Sequence, residues 1–176
     1  MKKVVLGFVS VLTLTLVACS NEKEISSSSS DIETEQTSTK TKEESRFLKV
    51  GESHVYDDSY NGGEYSGLKM TVDKAEIDKS IQLGQDGSGR NYDGYVPVRV
   101  EVTYENTSDK TIDLISTDII DSTGATGLQV HYVEGVTTNI PDVLTAGQKV
   151  KITEVFAIKN EGQFDITYCG KTWRIK

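Results

Sequence analysis

The chain has 176 residues, with 19 Lys and Arg against 27 Asp and Glu, for a formal net charge of −8. That acidic balance argues against nucleic acid as a partner, since such binders carry basic patches. It also sets the chain against anionic lipid headgroups, which repel a negatively charged fold over about one Debye length, ~8 Å.

The first residues are laid out as an export signal: Lys2 and Lys3, an apolar run from Val4 to Val17, then small Ala18. A helix rising ~1.5 Å per residue would carry that run only about 20 Å, short of a ~30 Å hydrocarbon core. A permanent span is therefore not expected. An ordinary cleaved leader with an incidental cysteine is one reading. The other rests on "LVAC", Leu16 to Cys19, which resembles the bacterial lipobox, with Leu at −3, a small residue at −1 and Cys at +1. The resemblance implies a signal peptide over 1–18, cleavage before Cys19, and diacylglycerol on its sulfur. Two acyl chains make a stable anchor where one is marginal, so the expected location is the extracytoplasmic face of the cell membrane. Loss of Lys2 and Lys3 leaves 17 Lys and Arg against 27 Asp and Glu, a mature charge of −10. With the Cys19 sulfur alkylated, Cys169 is left as a lone thiol. Its place after "FDITYC" reads as a small buried hydrophobe.

Residues 19–45 form the expected tether. From Ser20 to Ser45 there are eight Ser, four Thr, seven acids and three Lys, with Ile25 and Ile32 the only aliphatics. Such a tract cannot bury enough apolar surface to offset its ordering entropy and is expected to be disordered. As a flexible coil it would span roughly 28 Å end to end.

Residues 46–176 then suffice for one domain. In "YVPVRVEVTYEN", Val96, Val98, Val100, Val102 and Tyr104 alternate with Pro97, Arg99, Glu101 and Thr103, the strongest strand pattern in the chain. Pro97 belongs at the strand start or on an edge. "GLKMTVDKAEI", "QKVKITEVFAIK", "QFDITYC" and "TWRIK" repeat the pattern, with Glu154 interrupting the apolar face of the second. Weaker candidates are "FLKVGE", "SHVYDD", "TIDLI", "TDIID" and "LQVHYV". "DSTG" places Asp121 and Gly124 where a type I turn wants them, and Gly147 in "LTAGQ" is set for a positive φ. No stretch past Ser45 sustains a helical period. Seven to nine short strands with turn signals between them predict an all-β fold, an antiparallel sandwich, with a barrel as the alternative.

"KVGESHVY", "YVPVRVEVTYENTS", "STDIIDSTGATG" and "LTAGQKVKITEVFAIK" resemble a bacterial extracellular domain family of unknown function with an immunoglobulin-like sandwich. That family is related in fold to a secreted mycobacterial immunoprotective antigen, and is common in Gram-positive lipoproteins behind a Ser/Thr-rich linker. The resemblance implies fold and export. It supplies no functional residue.

Motifs for catalysis are weak. "SGLK", Ser66 to Lys69, imitates the S-x-x-K of penicillin-recognising enzymes, but it lies on a strand pattern, where residues three apart face opposite sides. His54 and His131 lack zinc spacing and read as surface histidines. "DGSGRNYDG" puts Arg90 where a calcium loop needs an oxygen, and Asp113, Asp118 and Asp121 read as turn caps. No cofactor, metal or catalytic residue is expected.

The less bland feature is aromatic. "VYDDSYNGGEYSG" and "GQDGSGRNYDGY" set Tyr56, Tyr60, Tyr65, Tyr92 and Tyr95 among Gly, Ser, Asn and Asp, the composition of paratope loops. These five are the candidate ligand contacts. The competing reading has them cap the core at strand ends. Flanking the "GLKMTV" strand, the two loops should lie at opposite ends of the sandwich. The function expected is a non-catalytic, lipid-anchored surface module for an extracellular protein, peptide or wall polymer. The alternatives are a structural envelope protein without a specific ligand and, behind it, a hydrolase.

Overall fold

The computed structural model describes residues 46–84 and 87–176. The leader, Cys19 and the tether lie outside the described residues, as do Gln85 and Asp86 of the second tyrosine-bearing loop.

Ten strands follow one another: β1 Ser53–Val55, β2 Leu68–Ile77, β3 Val96–Asn106, β4 Ile112–Asp113, β5 Asp118–Ile120, β6 Leu128–Val130, β7 Val143–Leu144, β8 Lys149–Ile158, β9 Phe164–Tyr168 and β10 Lys171–Ile175. All named pairings are antiparallel. The large sheet runs β1-β2-β3-β8-β6, the small one β10-β9-β5, and β4 pairs with β7. The fold is an antiparallel β-sandwich. One 3-10 turn, Asn61–Gly63, is the only helical piece among the described residues. The count exceeds the expected seven to nine: β4 falls within the weak candidate "TIDLI", while β7, at two residues, is too short to show a period.

The long strands follow their alternation. Val98, Val100, Val102 and Tyr104 point from β3 into the core, where they meet Leu68, Met70 and Val72 of β2 and Ile152 and Phe156 of β8. A bulge at Asp73, between Val72 and Lys74, shifts the register of β2. One inserted residue inverts the phase, so Ala75 and Ile77, and not Lys74 and Glu76, continue the inward face. From β9 and β10 come Phe164, Ile166, Tyr168 and Trp173. Trp173 is fully buried and its indole N–H donates to the Glu52 carbonyl at 2.8 Å.

Val155 to Ile158 on β8 are all buried in succession. Alternation fails there because both faces are covered. Phe156 and Ile158 face the main core, while Val155 and Ala157 lie under Ile81, Tyr92 and Val130 on the outer side.

The last strand forms a hairpin with β9, Tyr168 opposite Lys171. Its two turn residues, Cys169 and Gly170, both have positive φ, 44° and 75°, as a tight antiparallel turn of the I′ kind requires. The expectation of a buried Cys169 is therefore corrected. Its side chain packs on the core from a turn and remains partly exposed.

Candidate binding cleft

Glu154 carries the interruption in the apolar face of β8. Its alternation partners Ile152 and Phe156 point into the sandwich, and so must Glu154, which is only 3% exposed. A carboxylate held there needs donors. Thr117, in the link between β4 and β5, supplies two: its hydroxyl at 2.7 Å and its backbone N–H at 3.3 Å. Gln129 of β6 adds an amide N–H at 3.4 Å, and donates also to the Ser116 hydroxyl at 2.9 Å. Burial is the dominant influence, and it pushes the Glu154 carboxyl up to about 7. The Thr117 donors pull the other way, and the negative charge of Asp118 adds to the rise.

This group opens onto a cleft of about 430 Å³ at the edge of the large sheet, where β6 ends and the chain returns over β8. Thr138 N–H bonds the Thr153 carbonyl at 2.9 Å and fixes that return. Ser116, Gln129, Thr138, Asn139 and Thr153 line the cleft with hydroxyls and amides, and His131 stands on its rim. Among the described residues, no Lys, Arg, Phe, Tyr or Trp side chain lines it. A volume of this order suits a side chain or a small molecule.

The five tyrosines divide. Tyr56 is 2% exposed, Tyr65 7% and Tyr92 8%. For these three the expectation of ligand contact is corrected: their rings fill the structure and do not face outward. Tyr56 and Tyr65 pack at tilted or edge geometry against Tyr168, centroids 5.9 and 6.1 Å apart, and the Tyr56 hydroxyl donates to the Tyr168 carbonyl at 2.7 Å. His54 stands edge-on against Tyr56 at 4.6 Å. The loops do sit at opposite ends of β2. The second folds across the outer face of β8 and β6, which is what buries Tyr92. Tyr60 is exposed, and partly buried Tyr95 takes the Lys159 ammonium 5.0 Å from its ring centroid. Cys169 shares a small hollow with Tyr60 and His54, and burial is the main cause that raises its thiol to about 11. At neutral pH it stays protonated and unreactive.

Of the three aspartates read as turn caps, only Asp121 sits in a turn; Asp113 and Asp118 lie in β4 and β5, which corrects that expectation. Asp121 accepts from the hydroxyl and N–H of Thr123, from Ala125 N–H and from the Asn160 amide, and these donors hold its carboxyl well below the usual range.

Sequence reasoning passed over Glu154 as a blemish in a strand. The available signal was the acid itself, set among residues that otherwise face inward.

No protein-family model matches the chain, and no curated protein matches it. The resemblance to the extracellular domain family stands on the strand and turn segments alone. Among solved structures, the chain is similar to a conserved hypothetical protein from Bacillus anthracis, at 17% identity and a TM-score of 0.51, over 73% of this chain and 95% of that one. It is also similar to the yjhA protein from Bacillus subtilis, at 19% identity and a TM-score of 0.48, over 69% and 80% of the two chains. A third is the candidate lipoprotein ycdA of Bacillus subtilis, at 12% identity and a TM-score of 0.47, with 61% of this chain and 36% of that one covered. At such identities the likeness concerns the fold alone.

Proposed function

We propose that the protein is a non-catalytic binding module, lipid-anchored through Cys19 on the extracytoplasmic face of the cell membrane, and that the cleft over Glu154 is its recognition site. The anchor rests on "LVAC" directly after the apolar run. The observation that carries the site is a buried carboxyl, with no cation beside it, at the foot of a polar cleft. Desolvating an acid is costly, and such costs concentrate where a group has work to do.

A binding role fits the cleft better than a catalytic one. Glycoside hydrolysis needs two carboxyl groups across the scissile bond, and Glu154 is the one carboxyl lining this cleft. The Ser116 hydroxyl accepts from the Gln129 amide, a partner that cannot take its proton. The partner class is an extracellular protein, peptide or wall polymer.

Two substitutions test the reading. Cys19→Ser should move the protein from the membrane fraction to the medium. A photo-crosslinker at exposed Asn139, on intact cells, should give discrete adducts that fade in a Glu154→Gln background, while one at Lys79 should not. Equal adducts from both positions would remove the cleft as the recognition site.

A further inference from the structure

Every other partly or fully buried acid with a printed contact has found either a cation or a full set of donors. Asp165 holds Arg174 at 2.8 Å, and Asp121 is ringed by N–H and O–H groups. Glu154 differs. None of the ion pairs among the described residues includes it. The charge nearest in effect is Asp118, of the same sign. From β3, Tyr104 presents a fully buried hydroxyl with no hydrogen-bond partner, and the charge of Glu154 reaches it. It also reaches Tyr168 of β9. Among the described residues this side of the interior holds no positive charge, and the cleft adds the oxygens of Ser116, Thr138, Asn139 and Thr153.

We propose that the Glu154 cleft binds an alkyl ammonium group of the kind a lysine side chain carries, on an extracellular peptide or protein, with Glu154 as its counter-ion. This rests on the cleft being the recognition site and adds the chemistry of what enters it. An ammonium brings three donors and no acceptor, the complement of a pocket rich in oxygens. Residues 46–176 carry 14 Lys and Arg against 20 Asp and Glu, a net charge of −6 that favours approach of a cation. Sugars suit the site less well, because no Trp, Tyr or Phe side chain lines it to stack on a ring. The volume of about 430 Å³ accommodates a side chain of that length. Binding keeps Glu154 ionised, so affinity should fall as pH drops below about 7. His131 is the other titratable side chain lining the cleft, and Asp118 the acid whose charge reaches Glu154.

The test is an NMR titration of the full chain at pH 7.5 with three probes: N-acetyl-lysine methylamide, its neutral isostere N-acetyl-norleucine methylamide, and glucosamine. The lysine probe should give saturable shifts at the amides of Thr117, Gln129 and Glu154. Its affinity should exceed that of the norleucine probe by roughly tenfold or more, the usual worth of a hydrogen bond to a charged group. In Glu154→Gln that advantage should vanish. The substitution is isosteric and keeps an oxygen for Thr117, and wild-type comparison of the probes needs no variant at all. Equal binding of lysine and norleucine probes would overturn the ammonium assignment while leaving the cleft a binding site. A stronger response to glucosamine would overturn the peptide source. No response to any probe would overturn this proposal, with the crosslinking result still judging the cleft separately.

Discussion

Thr117 holds Glu154 with both its hydroxyl, at 2.7 Å, and its backbone N–H, at 3.3 Å. A residue of the large sheet is thereby tied to the link that leads into β5 of the small one.

The pH dependence of stability follows from this pair. Burial raises the Glu154 carboxyl from the ordinary 4.5 to about 7 in the folded protein. Between those values the folded state keeps a proton that the unfolded chain releases. The stability from this residue is full below about pH 4.5 and is lost as pH rises through 7, on the order of 3 kcal/mol in all. Glu154→Gln has no proton to lose. Urea unfolding at pH 4.5 and pH 8 should show the variant gaining on the parent by roughly 2–3 kcal/mol between the two.

Thr117→Val removes the hydroxyl and leaves the N–H. With Glu154 ionised at pH 8, loss of that charge-assisted bond should cost about 1–3 kcal/mol. At pH 4.5, with the carboxyl neutral, the cost should be smaller. Paired with Glu154→Gln, a double-mutant cycle at each pH isolates the coupling.

Asn106, fully buried at the end of β3, joins two turns. Its amide N–H groups donate to the carbonyls of Lys110, at 2.6 Å, and Leu144, at 2.8 Å, and its oxygen accepts from Ser108 N–H and hydroxyl. Asn106→Asp sets a carboxylate against two carbonyls. It should cost more than Asn106→Ala, which loses the bonds without adding charge, and more than about 3 kcal/mol at pH 7. Chemical denaturation of both variants checks the order.

Gly127 has an ordinary φ, so its constraint is space. A Cβ there would lie 2.4 Å from Ile119 Cγ2 and 2.9 Å from the Ala157 carbonyl. Gly127→Ala should cost about 1–3 kcal/mol through overpacking. Ile119→Val in the same chain removes only Cδ1 and keeps the clashing Cγ2, so the melting temperature should not recover.

Tyr56→Ala and Tyr60→Ala should part company. The first empties a buried site and breaks the 2.7 Å bond to the Tyr168 carbonyl, at about 3–5 kcal/mol. The second, at an exposed ring, should cost well under half as much. Thermal melts of the two separate them.

The long strands were legible because period 2 is local: Val96 to Tyr104 state their own face. The bulge at Asp73 was not, since a register shift depends on what β3 presents opposite. Composition could not tell a binding loop from an aromatic wall, because Tyr, Gly, Asn and Asp serve both. What separates Tyr56 from Tyr60 is Tyr168, more than a hundred residues downstream. Glu154 was visible as an anomaly, but its donors lie 37 and 25 residues away, on Thr117 and Gln129. A site assembled from three segments leaves no contiguous motif to read.

Leu48 is bridged in parallel to Trp173, its N–H bonded to the Thr172 carbonyl and its own carbonyl accepting from Arg174 N–H, both at 2.9 Å. Any pull arriving along the backbone from the N-terminal side meets the sandwich at that clasp. The tension passes into the final strand, whose indole is pinned to Glu52, before it can reach β8. Force on the chain ahead of Leu48 would then strain β10 first and spare the carboxyl pocket.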